Sequence, residues 1–124
     1  MKKQQENAMV YCRVDLHEKS DEILNITKQE HEILNFCKNA GYNVVKVFTD
    51  FTTNKNKSQP ELLNMKDFAM QSENQIDLAV CHGYDRIDRD LEKTLEIMID
   101  FKNMSIDLLS MKFITNLKNN TNER

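Results

Sequence analysis

IDLAVCHGYDRIDRDLEKTLEIMIDFKNMSIDLLSM, residues 76–111, is the stretch that decides the fold. IDLAVCH (76–82) is apolar and predicts a strand, and Gly83-Tyr84 turns out of it. Segment 85–103 places Leu91, Leu95, Met98 and Ile99 on one helical stripe with charges elsewhere, which predicts a helix. SIDLLSM (105–111) predicts another strand. A helix between two strands carries the chain back to its starting edge, so the strands run parallel.

Working outward, the alternation repeats. AMVYCRV (8–14) is almost continuously apolar, as a strand buried on both faces should be. DLHEKSDE (15–22) is a polar loop. Ile26, Ile33, Leu34 and Cys37 then recur at helical spacing up to Ala40, and Gly41 stands where a helix stops. YNVVKVFTD (42–50) predicts a strand and FTTNKNKSQ (51–59) a flexible loop. Pro60 suits the first turn of a helix carrying Leu62, Met65, Phe68 and Ala69 inward. The order β-α-β-α-β-α-β implies an α/β fold, a mainly parallel sheet with helices on both faces. Residues 1–7 are expected to be a flexible N-terminus and 8–112 one domain. Residues 113–124 are expected to be a polar tail or the start of a truncated helix. Sites in such sheets lie at the carboxyl ends of the strands, here Arg13-Val14-Asp15, Asp50, and His82 through Arg89.

The 124 residues carry a formal charge of −3, with 40% hydrophobic and 30% charged residues. A disordered or collagen-like chain is excluded by that balance. No apolar run approaches the roughly 20 residues that cross a bilayer, and the N-terminus lacks the apolar core of a secretory signal; a membrane role is not expected. Cys12, Cys37 and Cys81 are an odd set without CxxC spacing, which fits a reducing cytoplasm, and they read as small buried hydrophobes. His17, His31 and His82 share no ligand spacing, and no glycine-rich phosphate cradle is present, so neither metal nor cofactor is expected.

Of seventeen basic residues only four are arginines, at 13, 86, 89 and 124. Arginine offers a planar fork of donors that lysine lacks. YCRVD (11–15) closes the first strand, and DRIDRD (85–90) opens the long helix. There Arg86 and Arg89, three apart, should share a face at the helix N-terminus. With Arg13 they form a cup suited to a phosphodiester. The same arginines also suit a surface ion network with Asp15, Asp85, Asp88 and Asp90, the commoner fate of a charge cluster, and the residues alone leave both readings open.

These segments resemble the catalytic domain of the serine recombinases, the resolvases and DNA invertases. That family opens with a strand ending YARVS, whose serine attacks the DNA phosphate. It continues with a SIxxQ-like helix entry, a GY, a D-x8-RP loop and a strand running into DRLSRD. This chain has YCRVD, NITKQ (25–29), Gly41-Tyr42, Gln59-Pro60 spaced as RP from Asp50, and DRIDRD, collinear from about residue 8 to about 111. The resemblance places Arg13, Asp85, Arg86 and Arg89 at family active-site positions and Gln29 at the family's helix-borne glutamine. It implies DNA-phosphate contacts from Arg13, Arg86, Arg89, Gln29 and the position of Gln59. Lys55 and Lys57 in the same loop are expected to replace part of the charge of the family's loop arginine there, without its bidentate geometry.

Two positions depart: Asp15 stands at the nucleophilic serine and Gln59 at the loop arginine. Carboxylate attack would give a labile acyl phosphate, and Ser20, five residues on, reads as a loop or capping serine. The expectation is therefore a site-specific recombinase domain, of the kind found in mobile elements, that is catalytically impaired: a pseudoenzyme. It would bind DNA weakly alone and form a homo-oligomer or pair with an intact recombinase. An active or partly active recombinase domain is the alternative. A third reading from another class is a receiver-like phosphoacceptor domain using Asp15, Asp85 and Lys112.

Overall fold

The computed structural model describes residues 5–16 and 22–122. Four strands, β1 (Asn7–Asp15), β2 (Asn43–Thr52), β3 (Leu78–Cys81) and β4 (Asp107–Ser110), alternate with helices α1 (Glu22–Ala40), α2 (Pro60–Met70) and α3 (Leu91–Asn103). Helix α4 (Met111–Asn122) follows β4 directly. The strands form one sheet in the order β2-β1-β3-β4, and every pairing is parallel. The α/β fold expected from the alternation is the fold observed.

Central β1 explains its own composition. Seven consecutive residues from Ala8 to Val14 are buried, because helices cover both faces. On one face Met9, Tyr11, Ala79 and Cys81 pack with Leu62 and Met65 of α2 and Phe101 of α3. On the other, Ala8, Val10, Cys12, Leu78 and Val80 meet Ile33 and Cys37 of α1. Gly41, at φ 81°, ends α1: its amide donates to Lys38 O (3.1 Å) and that of Tyr42 to Cys37 O (2.9 Å), a glycine-dependent stop.

Several expected boundaries move. Strand β2 runs two residues further, through Phe51 and Thr52, so the loop starts later than expected. Strands β3 and β4 are shorter than expected, four residues each, and Met111 already belongs to α4. The largest correction concerns segment 85–103. Its first part is a tight turn at Tyr84–Arg86, and α3 begins only at Leu91. Asp90 sets that start: its carboxylate accepts from Glu92 N at 3.0 Å and caps the helix. Upstream, Asp88 accepts from Asp90 N at 2.8 Å, which fixes the chain in a bend. Of the expected stripe, Leu91, Leu95 and Ile99 are exposed and Met98 is half-buried against the core, while Thr94 and Phe101 are buried.

Candidate functional site

The β1–β2 register sets the site. It pairs Arg13 with Asp50 and Asp15 with Thr52 at the carboxyl ends of both strands. The turn after β3 then brings Arg86 and Arg89 over the same edge. Asp15 is where these elements converge. Its Oδ1 lies 3.2 Å from Arg13 Nε and accepts the Thr52 hydroxyl at 2.6 Å. Its Oδ2 lies 3.3 Å from an Arg86 Nη and 3.2 Å from an Arg89 Nη. One carboxylate therefore meets three guanidiniums.

The three contacts differ in strength. The Arg13 side chain is only 7% exposed, so its charge is poorly screened; Arg89, at 67%, is well screened. Arg13 Nε is close enough to Asp15 for an ion pair but its N–H is not aligned for a hydrogen bond. Arg86 also donates to Arg13 O at 3.5 Å, and its buried Nε has no hydrogen-bond partner among the described residues. Partial burial pushes the Asp15 carboxyl upward. The Thr52 hydrogen bond and the guanidiniums outweigh burial and hold the group below its ordinary value. Asp15 is a stable anion here.

A cleft of about 370 Å³ opens beside it, lined among others by Arg13, Asp15, Thr52, Lys57, Gln59, Arg89 and Lys93. A second cavity of similar volume lies toward α1, between Lys28, Gln29, Glu32, His82 and Arg86, and Asp15 forms part of both walls. Gln29 Nε2 donates to Arg13 O at 3.3 Å, steadying β1 from α1. His82 meets Glu32 at 3.0 Å, a contact between residues fifty positions apart that no motif announces.

The other expected residues separate. Lys57 reaches the cleft, whereas Lys55 is exposed and outside its lining. Asp85 is exposed in the turn and makes no ion pair with the arginines among the described residues. Arg86 and Arg89 converge through a turn and a bend rather than from one helical face, which corrects the expected helix-borne geometry. Gln59 lines the cleft, but its amide is occupied: Nε2 donates to Tyr11 OH (2.9 Å) and Ile87 O (2.7 Å). Ser20, His17 and Arg124 lie outside the described residues. All three cysteines are buried, and burial pushes Cys37 up to about 11 and Cys12 and Cys81 up to about 12. Among the described residues no group of His, Cys, Asp and Glu is arranged to hold a metal ion. Thr52 and Lys93 are site residues that sequence reading missed. Only the length of β2, ending two residues later than the apolar pattern, brings the Thr52 hydroxyl to Asp15.

The family model for the resolvase N-terminal domain matches residues 8–124. The chain belongs to the resolvase family. Among solved structures, this resolvase domain is similar to the C-terminal catalytic domain of ISC1926 TnpA, an IS607-like serine recombinase. The TM-score is 0.69 at 23% identity over 84% of this chain. It is similar to the N-terminal catalytic domain of TP901-1 integrase (TM-score 0.69, 20% identity, covering 86% of this chain and 78% of that one). It also resembles a resolvase-family site-specific recombinase from Streptococcus pneumoniae (TM-score 0.66, 14% identity, 84% and 72% covered). These identities speak for the fold. The resolvase domain described here spans 66% of the ISC1926 TnpA chain. No curated protein matches the sequence. Membership of this family sets the receiver-like reading aside. So does the setting of Asp15, since a hard cation would find three guanidiniums where it needs oxygen ligands.

Proposed function

We propose that this resolvase domain no longer cleaves DNA and acts through contacts with DNA and with other recombinase chains. The contact of the Asp15 carboxylate with Arg13, Arg86 and Arg89 carries the reading. In a cleaving domain those groups would hold a phosphodiester; here a carboxylate of the chain itself satisfies them. A phosphate oxygen about 4 Å from that carboxylate is repelled by roughly 4 kcal/mol at an effective dielectric near 20. With the carboxyl held below its ordinary pKa, protonation at neutral pH does not relieve the repulsion. Carboxylate attack would also leave an acyl phosphate, a poor carrier for strand exchange.

The working unit in this reading is residues 8–112, in the cytoplasm, paired with an identical chain or with an intact recombinase of a mobile element. DNA held by the isolated domain is held weakly and salt-dependently, through Lys57, Lys93 and Arg89 at the cleft. The test is incubation with supercoiled plasmid DNA followed by denaturing electrophoresis for covalent protein–DNA adducts. The expected result is no adduct from this chain at any protein concentration. An adduct that disappears in Asp15→Ala would overturn the proposal.

A further inference from the structure

Gln59 immediately precedes Pro60 and α2, the position whose side chain usually caps its own helix. Here it does not, and Asp50 of β2 takes over that task. The Asp50 carboxylate accepts the amides of Glu61 and Leu62 at 2.9 and 3.0 Å and the Tyr11 hydroxyl at 2.8 Å. The Gln59 amide is thereby free to reach elsewhere, and its Nε2 donates to Tyr11 OH and to Ile87 O. An amide NH₂ has two donors, so both are used.

The result is a two-bond chain of one polarity, Gln59 donating to Tyr11 and Tyr11 to Asp50. Each bond reinforces the other in surroundings of low dielectric. At the far end of the chain Asp50 also accepts the amides that start α2. Its free end grips Ile87, a fully buried residue standing between Arg86 and Arg89. The remaining main-chain ties of that turn are local, Arg86 N to Gly83 O and Ile87 N to Tyr84 O. Thr94 adds one from α3, to Asp88 O.

We infer that Gln59 is a positioning residue, which pins the Ile87 carbonyl to β1 through Tyr11 and thereby sets where Arg86 and Arg89 stand relative to Asp15. Its consequence for function rests on the proposed closure of the arginines around Asp15; the positioning itself does not require that reading.

Two variants separate this role from general support. Gln59→Met keeps length and loses both donors, and Gln59→Glu keeps length but faces two acceptors with a carboxylate. Amide hydrogen exchange, followed by NMR, should speed up about tenfold or more at residues 86–90 in both. The β1 and β3 amides of Val10 and Val80 should keep their protection. The Asp15 carboxyl, followed by its own carbon resonance, should titrate closer to its ordinary value than in the parent. Tyr11→Phe, which removes one acceptor and leaves the Ile87 bond possible, should act in the same direction with smaller effect. Unchanged exchange at 86–90 would overturn the inference. So would acceleration spread evenly over sheet and turn, which marks Gln59 as ordinary packing. Asp15→Asn completes the set: if it loosens the turn as much as Gln59→Met, the arginine contacts hold the turn and the inference falls. None of these readouts involves DNA, so cleavage by this chain would overturn the proposed function and leave the role of Gln59 standing.

Discussion

Asp15→Asn changes one charge and almost no volume, and its effect on anion binding can be worked from the site. The asparagine carbonyl can still accept the Thr52 hydroxyl, bonded to Asp15 at 2.6 Å, so the strand ends stay together. Lost is the negative charge that lies 3.2–3.3 Å from three guanidiniums. An inorganic pyrophosphate entering the cleft would approach the carboxylate to about 4 Å, a repulsion of roughly 4 kcal/mol at a dielectric near 20. The Asp15 side chain is 21% exposed and Arg89 is 67% exposed, so solvent screens part of this. A net difference of about 2 kcal/mol is left, roughly thirtyfold in dissociation constant. Isothermal titration of the parent and Asp15→Asn with pyrophosphate at low salt measures it directly. The variant should bind about thirtyfold more tightly, and the gain should shrink as salt rises. Equal affinities would mean that Asp15 does not compete with an anion for the arginines.

The same carboxylate makes stability pH-dependent. The folded Asp15 ionises below its ordinary value of 3.8, so its stabilising contribution is complete above that value and is lost as pH falls through the lowered one. The urea-unfolding gap between the parent and Asp15→Asn should be flat from about pH 7 to about pH 5 and narrow below 3.8; a gap that widens on acidification would contradict the assignment. Asp50→Ala removes acceptors from two helix amides and from Tyr11 OH, and should cost about 2–4 kcal/mol in chemical denaturation. Thiol labelling should be negligible in the folded protein and prompt in urea, because all three cysteines are buried and their pKa values are pushed up to about 11 or 12. Leu95→Gln on the exposed side of α3 should change stability by less than about 0.5 kcal/mol, whereas Phe101→Ala, at a fully buried position of the same helix, should cost about 3–5 kcal/mol.

How much of this was legible beforehand follows from which forces act locally. Continuous burial of β1 is written in AMVYCRV, and the stop of α1 is written in Gly41, because both depend on short-range pattern. The parallel sheet follows from strands that alternate with helices. Arg13, Arg86 and Arg89 announce themselves as the few arginines in a lysine-rich chain, and they do converge with Asp15. The start of α3 was not legible, since periodicity alone cannot separate a helical stripe from a capped bend; Asp88 and Asp90 compete for backbone amides and delay the helix by a turn and a half. The solvent-facing side of that stripe depends on which side the sheet occupies, a tertiary fact. Thr52 became part of the site through strand register. The inward reach of Gln59 depends on Asp50 having taken over the capping of α2; the spacing of Asp50 from Gln59-Pro60 was visible, but the exchange of hydrogen-bond partners across the fold was not.

A crystal of this chain grown from sulfate offers the most direct look at whether its guanidiniums are already spoken for. Electron density for the Asp15 side chain is expected between Arg13, Arg86 and Arg89, with no sulfate bound among them. A sulfate seated against all three, with that side chain turned out toward solvent, would contradict it.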